Sequence, residues 1–309
     1  MRERLIGEII KEERRKRKIT QEELCEDIYE PSTLSRIENN KQDPSRKKLQ
    51  VLLQRLGTND SRFYAMVSAE EVNINHLCDE IASYNVKYER SDENQKKEIA
   101  KVLCEKHEEL LKIIEPDDVI TRQFIIKSQV LIDDSTIENK IDKLIEAIKL
   151  THSTFDFLEI GDGLFSFDEI MLINQMAVLY SKNRDKMAIK IWEQLLKNID
   201  DRFETIIPAR TQKDLVLYGL SREYLIAKEY AKALRYAEEG RRVSIDYGIY
   251  QHLPGFTLIL AECEYHLDEK NKSEEHFKDA YYLCRAIGDK LNKKIASDAY
   301  LEYFGICLS

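Results

Sequence analysis

Apolar residues recur three and four positions apart along most of the chain, the period of a helix with one buried face. Leu5, Ile6, Ile9 and Ile10 make the first such stripe; Leu49, Leu52, Leu53 and Leu56 make another, which Gly57 ends. Between them Thr20 stands three residues before Glu23, the spacing of a capping box, so a helix starts at Gln21. Glu30-Pro31 opens a second short helix, because proline loses nothing at the first helical position. Leu34 and Ile37 turn inward on it, which leaves Ser32, Thr33, Ser35 and Arg36 pointing away. The pattern predicts five short helices ending near Val67, a helical connector over 68–88, and only helices after that.

The long remainder repeats itself. Tyr224, Tyr230, Ala233, Ala237 and Gly240 fall where a tetratricopeptide repeat puts its aromatic and small residues, with Ser221 at the place of a close-packing glycine. Leu179, Ala188, Trp192 and Leu195 fit the same frame upstream; Ala261, Ser273, Phe277 and Ala280 fit it downstream. Equivalent positions Ala188, Ala233 and Ser273 are 45 and 40 residues apart, wider than the usual repeat of about 34, so the helices are longer than standard. A fainter copy ends at Ala147 with Leu144 packing inside it, and 286–299 reads as a closing helix. The fold class that follows is all-α: an amino-terminal helical domain over 1–67, then a right-handed α-superhelix of repeats over 89–309. Trp192, the one tryptophan, takes a packing position and belongs to the core.

Charge separates the two parts. Residues 1–67 hold 15 Lys+Arg against 12 Asp+Glu, while the rest holds 33 against 45, so the net charge of −9 hides a basic amino-terminal end. Much of that positive charge lies in Arg14-Arg15-Lys16-Arg17-Lys18 and Arg46-Lys47-Lys48, flanking the helix that carries Ser32 and Arg36. Short hydroxyls with one guanidinium on an outward face, rimmed by cations, suit the edges of bases and the phosphates of a duplex. The candidate DNA contacts are therefore Arg17, Ser32, Thr33, Ser35, Arg36, Lys41 and Arg46.

Other chemistry is thin. The six cysteines are scattered with no Cys-x-x-Cys pair, which predicts free, mostly buried thiols. The six histidines make no zinc spacing, Gly161-Asp162-Gly163 is too short for a phosphate loop, and no catalytic carboxylate pair stands out on helices whose charge is a solvated face. The expectation is a protein without enzymatic activity, metal or cofactor. No apolar run approaches a membrane span, and Met1-Arg2-Glu3-Arg4 lacks a signal peptide's apolar stretch, which predicts a cytoplasmic protein with no membrane partner.

From Ile19 to Ser45 the chain resembles the Xre/Cro-type helix-turn-helix of phage and bacterial repressors, over roughly the first 67 residues. The resemblance implies that Gln21 lies against a phosphate, that Ser32 and Arg36 approach bases, and that Arg14 and Glu38 form a buried ion pair. One departure stands out: the turn Asp27-Ile28-Tyr29-Glu30 is a residue short and has no glycine. With the degenerate repeats behind it, the architecture resembles the Rap, Rgg, NprR, PlcR and PrgX superfamily of Gram-positive bacteria, and PlcR-like or NprR-like regulators most. That resemblance implies a homodimeric transcription factor, bound to a double-stranded DNA operator, whose repeats sense a short signalling peptide in the manner of quorum sensing.

In the repeat frame the first helix of each pair lines a concave wall, where an asparagine can meet a peptide bond with a donor and an acceptor. Asn174 occupies such a position, Tyr180, Tyr218, Arg222 and Tyr265 follow on the same wall, and Arg122 and Gln129 come from the faint upstream copy. Two arginines and three aromatic rings would suit a peptide with a carboxylate end and apolar side chains. Aromatics on repeat helices also serve as interhelical packing, and Asn174 could cap or bridge helices. Two rival functions stay open: a repeat scaffold that binds a folded protein partner, and a phage-type repressor whose repeats only dimerise. The residues leave open the operator, the peptide and the sign of regulation.

Overall fold

The computed structural model describes residues 5–57, 69–203 and 207–308, and among these every regular element is a helix. By compactness the chain divides into two units, residues 1–179 and 180–309.

The first unit begins with α1 (Ile6–Lys16), α2 (Gln21–Cys25), α3 (Pro31–Glu38) and α4 (Arg46–Arg55). The capping box forms as expected: Thr20 Oγ1 accepts from Glu23 N at 3.1 Å and Glu23 Oε2 accepts from Thr20 N at 2.6 Å. Pro31 takes the first turn of α3. Ile10, Leu24, Leu34, Leu52 and Leu53 form a closed core between these helices, and Ile120 and Leu164 from further along the chain belong to the same core. The fifth short helix expected to end near Val67 falls outside the described residues.

Next come α5 (Ala69–Arg90), α6 (Glu93–Ile113), α7 (Val119–Ile132) and α8 (Ile137–Lys149). Asp92, Asp118 and Thr136 cap α6, α7 and α8 by accepting backbone N–H groups of the first turn. Although α5 coincides with the expected connector, it has a buried face: Leu77 and Ile81 pack with Leu103, Leu110 and Ile125. The segment between α8 and α9 (Phe167–Lys182) holds a short 3-10 turn at Ile160–Asp162, in the Gly161-Asp162-Gly163 stretch that is too short for a phosphate loop.

The second unit holds α10 (Met187–Phe203), α11 (Ile207–Ile226), α12 (Tyr230–Tyr247), α13 (Leu253–His266), α14 (Lys270–Ile287) and α15 (Lys290–Phe304). Each packs on the next, and α11 also packs on α13, as α13 does on α15. This gives two layers, with alternate helices in each, the arrangement of stacked helical pairs. Small residues allow it. A Cβ on Gly240 of α12 would fall 2.2 Å from the buried ring of Phe256 on α13, and one on Gly219 of α11 would fall 2.6 Å from Trp192 on α10. Ala233 and Ala237 are likewise fully buried. Helices α12 and α14 run 18 residues each, which accounts for the wide repeat spacing.

Two expectations need correction. The closing helix does not start at Ala286: that residue lies in the last turn of α14, and Gly288, at φ 76°, stops the helix before α15 begins at Lys290. Nor are the thiols mostly buried: Cys25, Cys263 and Cys284 are, Cys78 is half-buried, and Cys104 and Cys307 are exposed. No helix among the described residues is long and apolar enough to cross a membrane, and the described residues hold no cluster of potential metal ligands.

One buried polar chain ties α5, α6 and α7 together. Ser128 Oγ donates to Asn85 Oδ1 at 2.7 Å, so it accepts from Nε2, at 2.8 Å, of His107, an imidazole whose burial favours the neutral form. Burial pushes its pKa from 6.5 down to about 4. Between those values the unfolded chain binds a proton that the folded one refuses, so stability falls as the pH drops below 6.5. From neutral pH to about pH 5, wild type is expected to lose about 2 kcal/mol more than His107→Gln, as read by urea unfolding; parallel losses would show that His107 is not held neutral.

Candidate nucleic-acid interface and ligand site

Helix α3 is fixed from two sides. A Cβ on Gly7 would lie 1.9 Å from the carbonyl oxygen of Ile37, so α1 passes the end of α3 closer than any side chain permits. The next residue, Glu38, is only 2 % exposed. Its carboxylate takes Arg14 in a fork, Nε to Oε1 at 2.5 Å and Nη2 to Oε2 at 2.9 Å, and accepts Gln21 Nε2 at 2.8 Å. Arg14 Nη1 also donates to the carbonyl of Ile19 at 2.9 Å. Burial alone would raise the pKa of Glu38, but the bonds from Arg14 and Gln21 outweigh it and hold the carboxyl below its ordinary range. The ion pair that the resemblance implied is present, and it clamps α1, the start of α2 and α3 at one point.

With Leu34 and Ile37 buried, the other side of α3 faces out. Ser32 and Arg36, one turn apart, are exposed, while Thr33 and Ser35 are half-buried beside them. Arg15, Lys16, Lys18, Lys41 and Lys48 form an exposed basic rim. Two expected contacts are engaged inside the protein. Gln21 gives its amide to Glu38, and Arg17 donates from Nη2 to Glu13 Oε2 at 3.3 Å, with a buried Nε that has no hydrogen-bond partner. The side chain of Arg46 lies outside the described residues.

The seven candidate ligand residues divide between the units. In the first, Arg122 and Gln129 sit two turns apart on α7 and so share a face; Gln129 is exposed, and Arg122 is half-buried with an Nε lacking a hydrogen-bond partner. Asn174 is half-buried on α9, next to Gln175, which donates to the Lys127 carbonyl of α7 at 3.4 Å. In the second, Tyr180 is half-buried at the end of α9, and Tyr218 and Arg222 lie one turn apart on α11. A Cβ on Gly255 would meet the Tyr218 ring at 2.6 Å, and His252 stacks on that ring at 4.7 Å. His252 is held in turn by Asp214 at 2.6 Å, whose other oxygen accepts from Ser244 at 2.6 Å. Burial raises the Tyr218 pKa, with Arg222 opposing and Asp289 adding to the rise. Tyr265 is drawn into an aromatic cluster with Tyr303 at 4.4 Å and Phe304 at 5.7 Å, the packing role that its position also allowed.

Sequence reasoning passed over Glu262. It lies three residues before Tyr265 on α13, and burial together with the charge of Glu302 on α15 raises its pKa. Its spacing from Tyr265 was the available signal; its neighbour Glu302, 40 positions on, had none.

A helix-turn-helix family model, HTH_3, matches residues 10–63, the stretch that holds most of α1 and all of α2, α3 and α4. No curated protein matches the chain significantly. Among solved structures, PlcR of Bacillus thuringiensis in complex with the peptide PapR7 and DNA is 19 % identical, with 94 % of this chain and 98 % of that one covered at a TM-score of 0.59. PlcR in its apo form is 18 % identical over the same shares, at 0.56. ComR from S. thermophilus, in complex with DNA and its signalling peptide ComS, is 17 % identical over 97 % of this chain and 100 % of that one, at 0.51. The chain therefore shares the all-helical fold of these proteins, a helix-turn-helix domain followed by helical repeats.

Removing the clamp tests what it does. Glu38→Ala leaves Arg14, whose side chain is 11 % exposed, without its partner, and is expected to cost about 3 kcal/mol of stability at neutral pH. Because the Glu38 pKa is lowered on folding, that loss should shrink as pH falls through the carboxylate range. An unchanged melting temperature at neutral pH would remove the clamp from the account.

Proposed function

We infer that this protein is a sequence-specific transcription regulator that binds operator DNA as a homodimer and whose repeats sense a short signalling peptide. The observation that carries the reading is the outer face of α3: Ser32 and Arg36 exposed on a helix whose direction Arg14, Gln21 and Glu38 fix. A short helix with hydroxyls and one guanidinium outward, in a basic rim, suits the major groove. In this reading Ser32, Thr33, Ser35 and Arg36 face bases, and Arg17, Gln21, Lys41 and Arg46 face phosphates. Gln21 faces a phosphate with its amide bonded to Glu38, and Arg17 must leave Glu13 to reach one. Residues 1–67 serve DNA, 68–88 connect, and 89–309 bind the peptide and dimerise.

The peptide is supported by fold and by chemistry. PlcR and ComR, which share the fold, were each solved with DNA and a peptide. In this chain Arg122 offers a half-buried guanidinium, and Tyr218 with Arg222 offers a ring beside a cation. Such groups suit an extended peptide with a carboxylate and apolar side chains. The peptide acts only by favouring one arrangement of the dimer over another.

Two arms test the reading. On duplexes selected by wild type, Arg36→Ala is expected to cost about 1–3 kcal/mol and to relax preference at one base pair, whereas Lys41→Ala should weaken cognate and random DNA alike and lower the salt slope by about one. Equal losses on cognate and random DNA for Arg36→Ala would remove it from base reading. For the second arm, a synthetic library of short linear peptides is screened by melting temperature. A hit is expected to alter the footprint and to lose its effect in Arg122→Ala or Arg222→Ala; a hit that leaves DNA binding unchanged would contradict peptide control.

A further inference from the structure

The helix-turn-helix does not hang from the rest of its unit by the chain alone. Asp27, in the short turn after α2, accepts from Ser153 N at 2.6 Å and from Ser153 Oγ at 2.9 Å, and Glu26 Oε1 accepts from Thr154 Oγ1 at 3.2 Å. At the end of α4, Gln54 Nε2 donates to Asp168 Oδ2 at 2.7 Å. Arg55 is fully buried between the two sides. Its Nη1 holds the carbonyls of Leu24 and Glu26 in its own domain, at 3.2 and 2.7 Å, and its Nη2 holds the carbonyl of Thr151 at 2.7 Å. Ile120 and Leu164 complete the contact by joining the apolar core of α1–α4. From Thr151 the bonds continue inward, since its Oγ1 donates to Glu169 on α9 at 2.6 Å and accepts from Gln123 on α7 at 2.6 Å.

This contact also accounts for the glycine-free turn. Asp27 has a φ of 57°, the left-handed conformation for which glycine is the usual choice. A glycine there would satisfy the backbone and lose both bonds to Ser153. The contact uses the α2–α3 turn and the end of α4, and leaves Ser32 and Arg36 exposed.

We propose that Asp27, Gln54 and Arg55, seated on 151–154 and Asp168, are positioning residues for DNA reading: they fix the direction of α3 relative to α7 and α9, and so set the one half-site separation that a dimer accepts. The proposal rests on the dimeric DNA-binding reading. Two DNA-binding domains held rigidly gain from a second half-site only when its spacing matches, about one helical turn of DNA away, whereas loosely tethered domains accept many spacings with a smaller gain at each. Because Thr151 is bonded to α7 and α9, a ligand on those helices acts on the spacing through this seat.

The test uses the full chain. Asp27→Gly combined with Gln54→Ala removes the bonds to Ser153 and Asp168, keeps the positive φ of the turn and leaves Arg55 and the Glu26–Thr154 bond in place. Affinity is measured for single half-sites and for inverted half-site pairs, taken from duplexes selected by wild type, at the selected spacing and with a few base pairs added or removed. The expected result is single-site affinity within about twofold of wild type, about fivefold weaker binding at the selected spacing, and a flattened spacing preference. Asp27→Asn, whose amide oxygen still accepts from Ser153 and which tolerates the turn, should restore the preference. Ser153→Ala with Thr154→Ala loosens the seat from the other side without touching the DNA-binding domain, and should repeat the result if the first variant fails to fold. A spacing preference that survives in variants whose backbone amide at position 153 exchanges faster than in wild type would overturn the proposal. A wild type with no spacing preference would instead overturn the dimeric reading, and the proposal with it.

Discussion

A carboxylate buried as fully as that of Glu38 is costly unless its lone pairs are met, and the two side chains that meet them come from two other helices. Arg14 rises from α1, Gln21 from the first turn of α2, and Glu38 itself closes α3. Any tilt of α3 would break a fork whose two bonds run at fixed angles, so the direction of the reading face is set by directional bonds as well as by apolar packing. Everything claimed for Ser32 and Arg36 depends on that, because a side chain selects a base only if its backbone arrives at the groove in one orientation. The seat around Arg55 extends the same logic by one step, from the direction of α3 within its domain to its direction on the neighbouring helices.

Local signals were readable in the sequence because they are short in range. The capping box needs only Thr20 and Glu23, and Pro31 marks the start of α3 by itself. Ala233, Ala237 and Gly240 were legible as packing positions because every repeat poses the same steric problem, and Trp192 closes on Gly219 as a core residue should. The Arg14–Glu38 pair came from a resemblance and not from the residues alone. What escaped was contact between distant segments. Arg55 and Thr151 are 96 positions apart, and no period or cap advertises that one will hold the other's carbonyl. For the same reason α5 looked like a bare connector although Leu77 and Ile81 have partners on α6 and α7.

The candidate ligand site was the least legible part. Its residues were chosen by their place in a repeat frame, and a frame gives the face of a helix but not its neighbours. Tyr218 and Arg222 do share a face, and the ring is braced by His252 and Gly255, groups the frame did not identify. Tyr265 points to the opposite outcome, since Tyr303 and Phe304 from α15 pack on it. Arg122 is informative for a different reason: its Nε is buried without a hydrogen-bond partner, which is expensive to keep, while the residue as a whole is only half-buried.

The central claim is that the exposed face of α3 reads DNA sequence in a dimer. Its most direct test is selection of duplexes from a random library by the purified full chain at physiological salt. The account predicts enrichment of two inverted copies of one short motif, their centres about one helical turn apart. A retained pool with the same sequence composition as the input, however tightly it bound, would contradict it.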